Sequence, residues 1–240
     1  MALFRRRKKA ASPFCSVVVA AAGSSTRMEG QDKMFAELDE IPVLARTLMV
    51  LGSCRLVHEI VVVTRSELIG KVAQMCQDYP IAKVSKVIAG GSTRTHSVSN
   101  GVNACSQDAQ VIAIHDGARP LVSLQILEDT IKKGIETGAA APAVPMKDTV
   151  KEAERGLVVS TPDRSRLFAV QTPQVFEASL IKAALQKASE EKAVLTDDCS
   201  AVERLGMRVC LTQGSYENIK ITTPVDLILG EAILNGRDHL

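Results

Sequence analysis

Tryptophan is absent from this sequence and aromatic residues make up only 3% of it, so large rings cannot supply most of a protein core. Hydrophobic residues nevertheless account for 46% of the 240 residues, which is enough for a sizeable core of valine, isoleucine, leucine and alanine. No apolar run approaches the roughly 18 residues of a membrane-spanning helix. The length fits one large α/β domain or at most two small ones, and we expect no membrane partner.

Charge and cysteine spacing argue against two further classes of protein. The 29 lysine and arginine residues nearly balance 27 acidic residues, and a net charge of +2 is not that of a nucleic-acid-binding chain. None of the six cysteines forms a C-x-x-C pair, so the sequence indicates neither a zinc site nor a disulfide framework. Reduced and mostly buried thiols are typical of a cytoplasmic enzyme.

A basic run, Arg5–Lys9, lies near the beginning of the sequence. Ser12 and Pro13 follow it where a signal peptide would have a long apolar segment. We therefore expect residues 1–14 to form a solvated tail and residues 15–240 to form the folded domain.

Strand-like and helix-like segments alternate along the rest of the chain. Apolar runs without polar alternation are typical of strands buried on both faces of a parallel sheet, and such runs occur at Cys15–Ala21, His58–Thr64 and Gln110–Ile114, with a weaker one at Lys83–Ala89. This order predicts an α/β fold with a single doubly wound, mostly parallel sheet. Ligands of such sheets bind beyond the carboxyl ends of the strands, so the loops there are the expected site.

Helical patterns lie between these strands. One apolar face is predicted for Leu124, Leu127, Ile131 and Ile135, and a second for Leu180, Ile181, Ala184, Leu185 and Ala188. The segment Thr223–Asp226 predicts a helix start, because threonine can cap, proline fits the first helical position and aspartate favours the positive end.

One segment, Lys147–Asp163, breaks the alternation of strands and helices. It is charged, contains Gly156 near its middle and carries the apolar residues Leu157, Val158 and Val159. We interpret it as an arm or hairpin that projects from the sheet, with a flexible surface loop as the alternative. An isolated hairpin is marginally stable, and pairing with a second copy of the chain would bury its apolar residues.

The loop after the first strand is built from small residues, Ala20–Met28 (AAAGSSTRM), and Lys33 follows five residues later. Small residues let backbone amides approach a phosphate, Arg27 can pair with phosphate oxygens bidentately, and Lys33 is a compact cation. The loop matches neither the P-loop pattern nor G-x-G-x-x-G. Its residues alone fit either a triphosphate-binding loop or an ordinary polar surface loop.

The same loop resembles the signature loop of nucleotidyltransferases that act on sugar and polyol phosphates. Further segments match that resemblance in order and spacing: Gly90–Val98, His115–Pro120, Val144–Thr149, Asp163–Arg164, Gln171–Gln174, Thr196–Asp198 and Glu217–Lys220. Together they are similar to the 2-C-methyl-D-erythritol 4-phosphate cytidylyltransferase family from about Val17 to Ile233.

The resemblance implies a Rossmann-like nucleotidyltransferase fold and transfer of CMP from CTP to 2-C-methyl-D-erythritol 4-phosphate in isoprenoid precursor biosynthesis. It also implies Mg²⁺ as cofactor and a homodimer formed through the arm at residues 147–163. The implied catalytic residues are Arg27, Lys33, Arg164 and Lys220. The implied nucleotide-binding residues are Ala21, Ala22, Gly23, Ser24, Ser25, Gly90, Arg94, Ser97 and Asp116. The implied residues for the second substrate are Arg119, Thr149, Arg164, Thr172, Thr196 and Lys220.

Several of these residues keep a second interpretation. Asp116 follows a buried strand, where a carboxylate can hold Mg²⁺ against a triphosphate or simply cap the next turn. Arg94 and Ser97 share a helix face, and Arg94 fits a nucleotide contact or a structural bond equally well. His115 is expected to be structural, since transfer by positioning needs no imidazole base. Glu217 and Asn218 are open candidates for the metal site.

Three rival functions share these motifs in part: a ribitol 5-phosphate cytidylyltransferase, a uridylyl- or guanylyltransferase for sugars, and a non-catalytic nucleotide-sensing module. Retention of both Arg27 and Lys33 argues against the sensing module, because a sensor needs affinity and not stabilisation of transition-state charge.

Overall fold

The structure is a computed structural model that describes residues 12–23 and 32–237 of the chain. The basic run Arg5–Lys9 and three of the expected site residues, Ser24, Ser25 and Arg27, lie outside the described residues.

Strands and helices alternate through the described ranges. The strands are β1 (Cys15–Ala20), β2 (Glu37–Leu38), β3 (Ile41–Pro42), β4 (Glu59–Thr64), β5 (Val84–Ala89), β6 (Val111–Asp116), β7 (Ala139–Pro145), β8 (Glu152–Glu154), β9 (Leu157–Ser160), β10 (Phe168–Val170), β11 (Gln174–Glu177) and β12 (Cys210–Gln213). The α-helices are α1 (Val43–Ser53), α2 (Ile69–Asp78), α3 (Arg94–Ala104), α4 (Leu124–Thr137), α5 (Ala178–Glu190), α6 (Asp198–Glu203) and α7 (Pro224–Arg237).

Eight of the strands form one sheet: seven follow the order β10-β7-β11-β6-β1-β4-β5, and β12 pairs with β7 outside this order. The half from β5 to β6 is parallel. Strand β11 runs antiparallel to both β6 and β7, and β10 runs antiparallel to β7. The predicted mostly parallel, doubly wound sheet is therefore confirmed, with its antiparallel strands confined to one half.

Helices cover both faces of the sheet because its central strands are apolar on both faces. In β1, Val17 and Val19 belong to the core cluster beneath α1, α2 and α4, whereas Val18 belongs to the cluster beneath α3, α5 and α6. The two layers are closely packed: a Cβ atom on Gly101 of α3 would lie 2.3 Å from Val18 Cγ1. This position accepts only glycine, since any side chain would push the helix off the sheet.

Helix α4 forms where the apolar pattern predicts it, but its buried face differs from the predicted one. Ser123 caps its first turn by accepting from the Ile126 amide, and it ends at Gly138, whose φ of 83° suits glycine. Leu127 and Ile131 are buried, whereas Leu124 and Ile135 are 46% and 39% exposed.

The reason for the rotated face lies in two non-aliphatic residues of α4. Gly134 lets the helix approach β11, where a Cβ would lie 2.5 Å from Val175 Cγ1, and the Thr130 hydroxyl lies 2.9 Å from the Thr212 hydroxyl of β12. These contacts turn the helix so that residues 130 and 134 face the sheet.

The other two helical predictions agree with the structure more closely. Within α5 the predicted stripe is buried except at Leu180, which is half-buried. Helix α7 begins at Pro224, and the Asp226 carboxylate accepts from the amides of Thr222 and Thr223 in front of it. Among the described residues, no helix is long and apolar enough to cross a membrane.

The segment predicted as an arm contains a hairpin. Strands β8 and β9 pair antiparallel as a separate two-stranded ladder, joined by Arg155 and Gly156 at φ values of 50° and 82°. Positive φ at both turn residues is the geometry of the tight turns that best match strand twist. The apolar residues of β9 face solvent in the single chain, with Leu157 75% exposed.

Candidate functional site

A cavity of about 430 Å³ opens at the carboxyl edge of the parallel strands. The parallel register sets Ala20 opposite both Asp116 and Val63, so the loops after β1, β4 and β6 leave the sheet side by side. The cavity brings together seven of the expected site residues from distant parts of the sequence: Ala22, Gly23, Lys33, Arg94, Ser97, Asp116 and Lys220.

One wall of the cavity forms where the loops after β1 and β5 touch. A Cβ atom on Gly90 would lie 2.7 Å from both Ala22 Cβ and Ser97 Oγ, so a side chain there would separate the loops. The Ser97 hydroxyl accepts from the Gly91 amide at 3.0 Å and donates to the Thr93 carbonyl at 2.9 Å. Gly90 and Ser97 thus shape the wall, and a direct contact with the nucleotide stays a prediction.

Ala21 lies just behind this wall and is 1% exposed. Its amide donates to the Val63 carbonyl at 2.8 Å, which continues the pairing of β1 with β4 one residue beyond the strand. The sequence predicts Ala21 as a nucleotide contact, and in this structure its backbone supports the two residues that do line the cavity, Ala22 and Gly23.

Asp116 is the main anion on the opposite wall. Its Oδ2 atom lies 3.0 Å from Lys220 Nζ and accepts from Arg119 Nε at 3.2 Å. Burial by itself would raise the pKa of Asp116, but the charges of Lys220, Arg119 and Arg94 outweigh it and lower the pKa to about 2. The side chain is therefore a carboxylate at neutral pH.

A buried hydrogen-bond chain holds the strand end that carries Asp116. The Asp116 amide donates to Thr172 Oγ1 at 3.1 Å, and Thr172 Oγ1 lies 3.1 Å from His115 Nδ1. On its other side the His115 ring lies 3.2 Å from the Arg119 carbonyl, which can only accept, so Nε2 carries the proton and Nδ1 accepts from Thr172. Burial lowers the pKa of His115 to about 4, so the imidazole is neutral and has the structural position predicted for it.

Thr172 therefore has a role that the sequence did not indicate. It is 4% exposed and its hydroxyl is occupied by the bonds to Asp116 and His115. In this structure it positions the Asp116 backbone, whereas the resemblance implied a contact with the second substrate.

The residues around Asn218 form a second support beneath the cavity. Arg119 Nη1 donates to the Asn218 carbonyl at 2.7 Å, and Asn218 Nδ2 donates to Gln171 Oε1 and to the Thr172 carbonyl, each at 3.2 Å. Glu217, the neighbouring metal candidate, is instead ion-paired with Arg237 at 2.9 Å.

For Arg94 the sequence fitted either a nucleotide contact or a structural bond, and the structure contains a structural bond. It stands in the first turn of α3 and donates from Nη1 and Nη2 to the two carboxylate oxygens of Asp198, at 2.9 and 2.7 Å. Gln174 Oε1 accepts from the amides of Asp198 and Cys199, each at 2.9 Å, which holds the carboxylate in place. Asp198 belongs to one of the motifs of the resemblance, but its role could not be inferred from the sequence because its partner, Arg94, lies 104 residues away.

Of the six residues expected to contact the second substrate, only Lys220 lines the cavity of the single chain. Arg119 and Thr172 lie behind it in the contacts described above. Thr149, Arg164 and Thr196 are exposed. Arg164 Nη1 donates to the Lys147 carbonyl at 2.6 Å, at the base of the segment that carries the hairpin.

The fit of a metal ion to this cavity depends on Asp116. Within residues 12–23 and 32–237, no three histidine, cysteine, aspartate or glutamate side chains are grouped so that they could hold a metal. Mg²⁺ is, however, usually bound by one or two carboxylates together with substrate phosphates and water. A single ionised carboxylate on the cavity wall fits an ion that arrives with a triphosphate.

Replacing Thr172 by valine should lower the free energy of unfolding of the ligand-free protein by about 1–3 kcal/mol, because the buried Asp116 amide loses its acceptor. Thr172→Ser retains the hydroxyl and should stay near the wild type. Urea denaturation without substrates measures both. Equal midpoints for all three proteins would contradict the structural role of this hydroxyl.

Comparison with known proteins shows the family to which the chain belongs. The profile of the 2-C-methyl-D-erythritol 4-phosphate cytidylyltransferase family matches residues 15–236. The chain is 45% identical over 225 residues to the 2-C-methyl-D-erythritol 4-phosphate cytidylyltransferase of Halalkalibacterium halodurans, covering 93% of this chain and 98% of that protein. It is 43% identical over 226 residues to the protein of the same name from Caldanaerobacter subterraneus subsp. tengcongensis, covering 91% and 98%.

A solved structure is similar as well. The crystal structure of 4-diphosphocytidyl-2C-methyl-D-erythritol synthase from Anaerococcus prevotii superposes with a TM-score of 0.84 at 30% sequence identity, over 93% of this chain and 97% of that one. Sequence and fold agree over almost the whole length, and the chain belongs to the 2-C-methyl-D-erythritol 4-phosphate cytidylyltransferase family.

Proposed function

We propose that this protein transfers CMP from CTP to 2-C-methyl-D-erythritol 4-phosphate, giving 4-diphosphocytidyl-2-C-methyl-D-erythritol and pyrophosphate for isoprenoid precursor biosynthesis. The proposal rests on one observation in a chain of this family. A single cavity is lined by the small-residue loop after β1, by Lys33 and by the Asp116–Lys220 ion pair. Six unpaired cysteines fit the reducing cytoplasm as its location.

The chemistry is an in-line displacement without a covalent enzyme intermediate. An oxygen of the substrate's phosphate monoester attacks the α-phosphorus of CTP, and the bond from that phosphorus to the bridging oxygen breaks as pyrophosphate leaves. The second ionisation of a phosphate monoester lies near pH 6, so the nucleophile is already charged at about pH 7. No general base is needed, in agreement with the buried and neutral His115.

The cations of the site stabilise the charge that develops during transfer. Lys33 lines the cavity, and we propose that it stabilises the charge on the triphosphate together with Arg27, which precedes it in the sequence. Lys220 and Arg164 orient the attacking phosphate, and Lys220 Nζ, held 3.0 Å from Asp116, is already placed inside the cavity.

Asp116 would hold Mg²⁺ in this mechanism, and the bound ion supplies charge neutralisation for the triphosphate oxygens. The low pKa of Asp116 supports this role, since the carboxylate needs no deprotonation before it binds a cation.

Pyrophosphate release with four nucleoside triphosphates and two acceptors tests the function directly. We expect release with CTP and 2-C-methyl-D-erythritol 4-phosphate, and much slower release with UTP, GTP or ATP. Ribitol 5-phosphate serves as the matched acceptor. Equal rates with UTP and GTP would exclude a cytidylyltransferase. Faster turnover of ribitol 5-phosphate than of 2-C-methyl-D-erythritol 4-phosphate would identify a ribitol 5-phosphate cytidylyltransferase.

Asp116→Asn should raise the Mg²⁺ concentration needed for half-maximal activity by at least ~10-fold, because it removes the carboxylate that would bind the ion. Far-ultraviolet circular dichroism should be unchanged. The role of Asp116 is excluded if the variant has an unshifted Mg²⁺ titration, and the need for a metal is excluded if the wild type is fully active in EDTA.

The homodimer belongs to the same proposal. The hairpin of β8 and β9 is a separate ladder with Leu157, Val158 and Val159 at least 58% exposed, an arrangement that a second copy of the chain can bury. Thr149 and Arg164 lie beside this hairpin and outside the cavity of their own chain. We infer that the segment Lys147–Asp163 reaches the active site of the neighbouring subunit.

Mixing two inactive proteins tests shared sites. Each proposed site combines Lys33 of one subunit with Thr149 of the other. If Lys33→Ala and Thr149→Ala subunits exchange, one site of each heterodimer therefore contains both substitutions and the other site contains neither. Activity should then return to about a quarter of the wild-type value, since half of the dimers are mixed and each has one intact site. No recovery despite demonstrated exchange, or sedimentation as a monomer, would contradict the shared site.

A further inference from the structure

Arg65 is the first residue after β4 and has no place in the motifs of the family resemblance. Strand β4 lies parallel to β1, so Arg65 leaves the sheet beside the loop that follows β1. Its neighbour Thr64 is bound to the opposite loop, because the Thr64 carbonyl accepts from the Gly90 amide at 2.7 Å. Arg65 therefore stands between the two loops that shape the cavity.

The guanidinium of Arg65 binds the residue that immediately precedes Lys33. Arg65 Nη2 donates to Asp32 Oδ2, and the other carboxylate oxygen, Oδ1, accepts from the Met34 amide at 3.1 Å. The Asp32 carbonyl accepts from the amides of Phe35 and Ala36, at 2.9 and 3.0 Å. Asp32 thus organises the whole turn that carries Lys33.

The far side of this turn is held by the core. Met34 is 4% exposed, and its carbonyl accepts from the Leu44 amide of α1 at 3.1 Å. Lys33, which lines the cavity, lies between this buried anchor and Asp32. Among the described contacts, two attachments flank the Lys33 backbone: the core at Met34 and Arg65 at Asp32.

We infer that Arg65 is a positioning residue for the transferase reaction, which acts through Asp32 on the placement of Lys33. The inference rests on the proposed role of Lys33. Arg65 also offsets charge on Asp32, because a carboxylate next to Lys33 that lost this ion pair would attract the lysine more strongly and hold it away from the charge that develops in the transition state. The side chains of this ion pair are 33% and 22% exposed, so thermal melting is needed to separate a contribution to stability from an effect on geometry and charge at the site.

A double-mutant cycle on CTP turnover tests this inference. Arg65→Ala should lower kcat roughly 10- to 100-fold, as expected when a catalytic group is misplaced by about 1 Å. The dissociation constant of CTP, measured by calorimetry without acceptor, should change much less, because Lys33 acts on transition-state charge. In a Lys33→Ala background, the same Arg65→Ala change should alter kcat by less than about 2-fold, since a residue that acts through Lys33 loses its effect with it.

Two variants separate positioning from folding. Arg65→Lys keeps the charge that Asp32 needs and should recover most of kcat, and Asp32→Asn should reproduce the loss without removing Arg65. The matched control is Arg55→Ala, which breaks an exposed ion pair with Glu128 far from the cavity and should leave kcat unchanged. Thermal melting of each protein is measured in parallel.

The inference is overturned if Arg65→Ala has wild-type kcat, or if its effect persists in full in the Lys33→Ala background. It is equally overturned if kcat falls only in step with thermal stability and Arg65→Lys restores neither. Normal turnover by Lys33→Ala alone would be a different result: it would remove the proposed role of Lys33, and the inference with it, while the assignment to the cytidylyltransferase reaction would stand on the nucleotide and acceptor assay.

Discussion

The parallel register of β1 between β4 and β6 is the constraint on which the rest of this structure depends. It sets Ala20 opposite Val63 and Asp116, so that the small-residue loop, Arg65 and the Asp116 turn leave the sheet at one edge. The register is strongly specified because β1 is buried on both faces: a slip of one residue would exchange the valines between two differently shaped helix layers. Every contact across the cavity follows from this alignment.

The net charge around the cavity depends on which basic side chains already have an acidic partner. Arg94 is neutralised by Asp198, whereas Asp116 is one carboxylate facing both Lys220 and Arg119. The wall around Asp116 therefore keeps a cationic excess that suits a triphosphate and a phosphate monoester. A buried carboxylate in these surroundings remains ionised at neutral pH.

Several polar residues of the family motifs are buried beneath the site because they hold its backbone in place through hydrogen bonds. Thr172 and His115 hold the end of β6, and Asn218 ties the segment with Lys220 to the residues before β11. Each bond replaces water for a group that the fold has buried, so its loss would affect both the fold and the geometry above it. Strands β8 and β9, by contrast, form a ladder separate from the main sheet in the part of the chain that the structure describes.

The sequence by itself determined the buried strands, their mostly parallel arrangement, the loop region before Lys33 and the strand end at Asp116, because short apolar runs without polar alternation are typical of strands covered on both faces. The tertiary structure decided the partners: Arg94 with Asp198, Thr172 with the Asp116 amide, Lys220 with Asp116, and Arg65 with Asp32. It also decided which face of α4 is buried, since Gly134 and Thr130 face the sheet in place of Leu124 and Ile135. Hydrogen bonds and close packing depend on which strand ends and helix faces meet in space. The partners named here are 33 to 104 residues apart in the sequence, and no local sequence pattern predicts contacts at such separations.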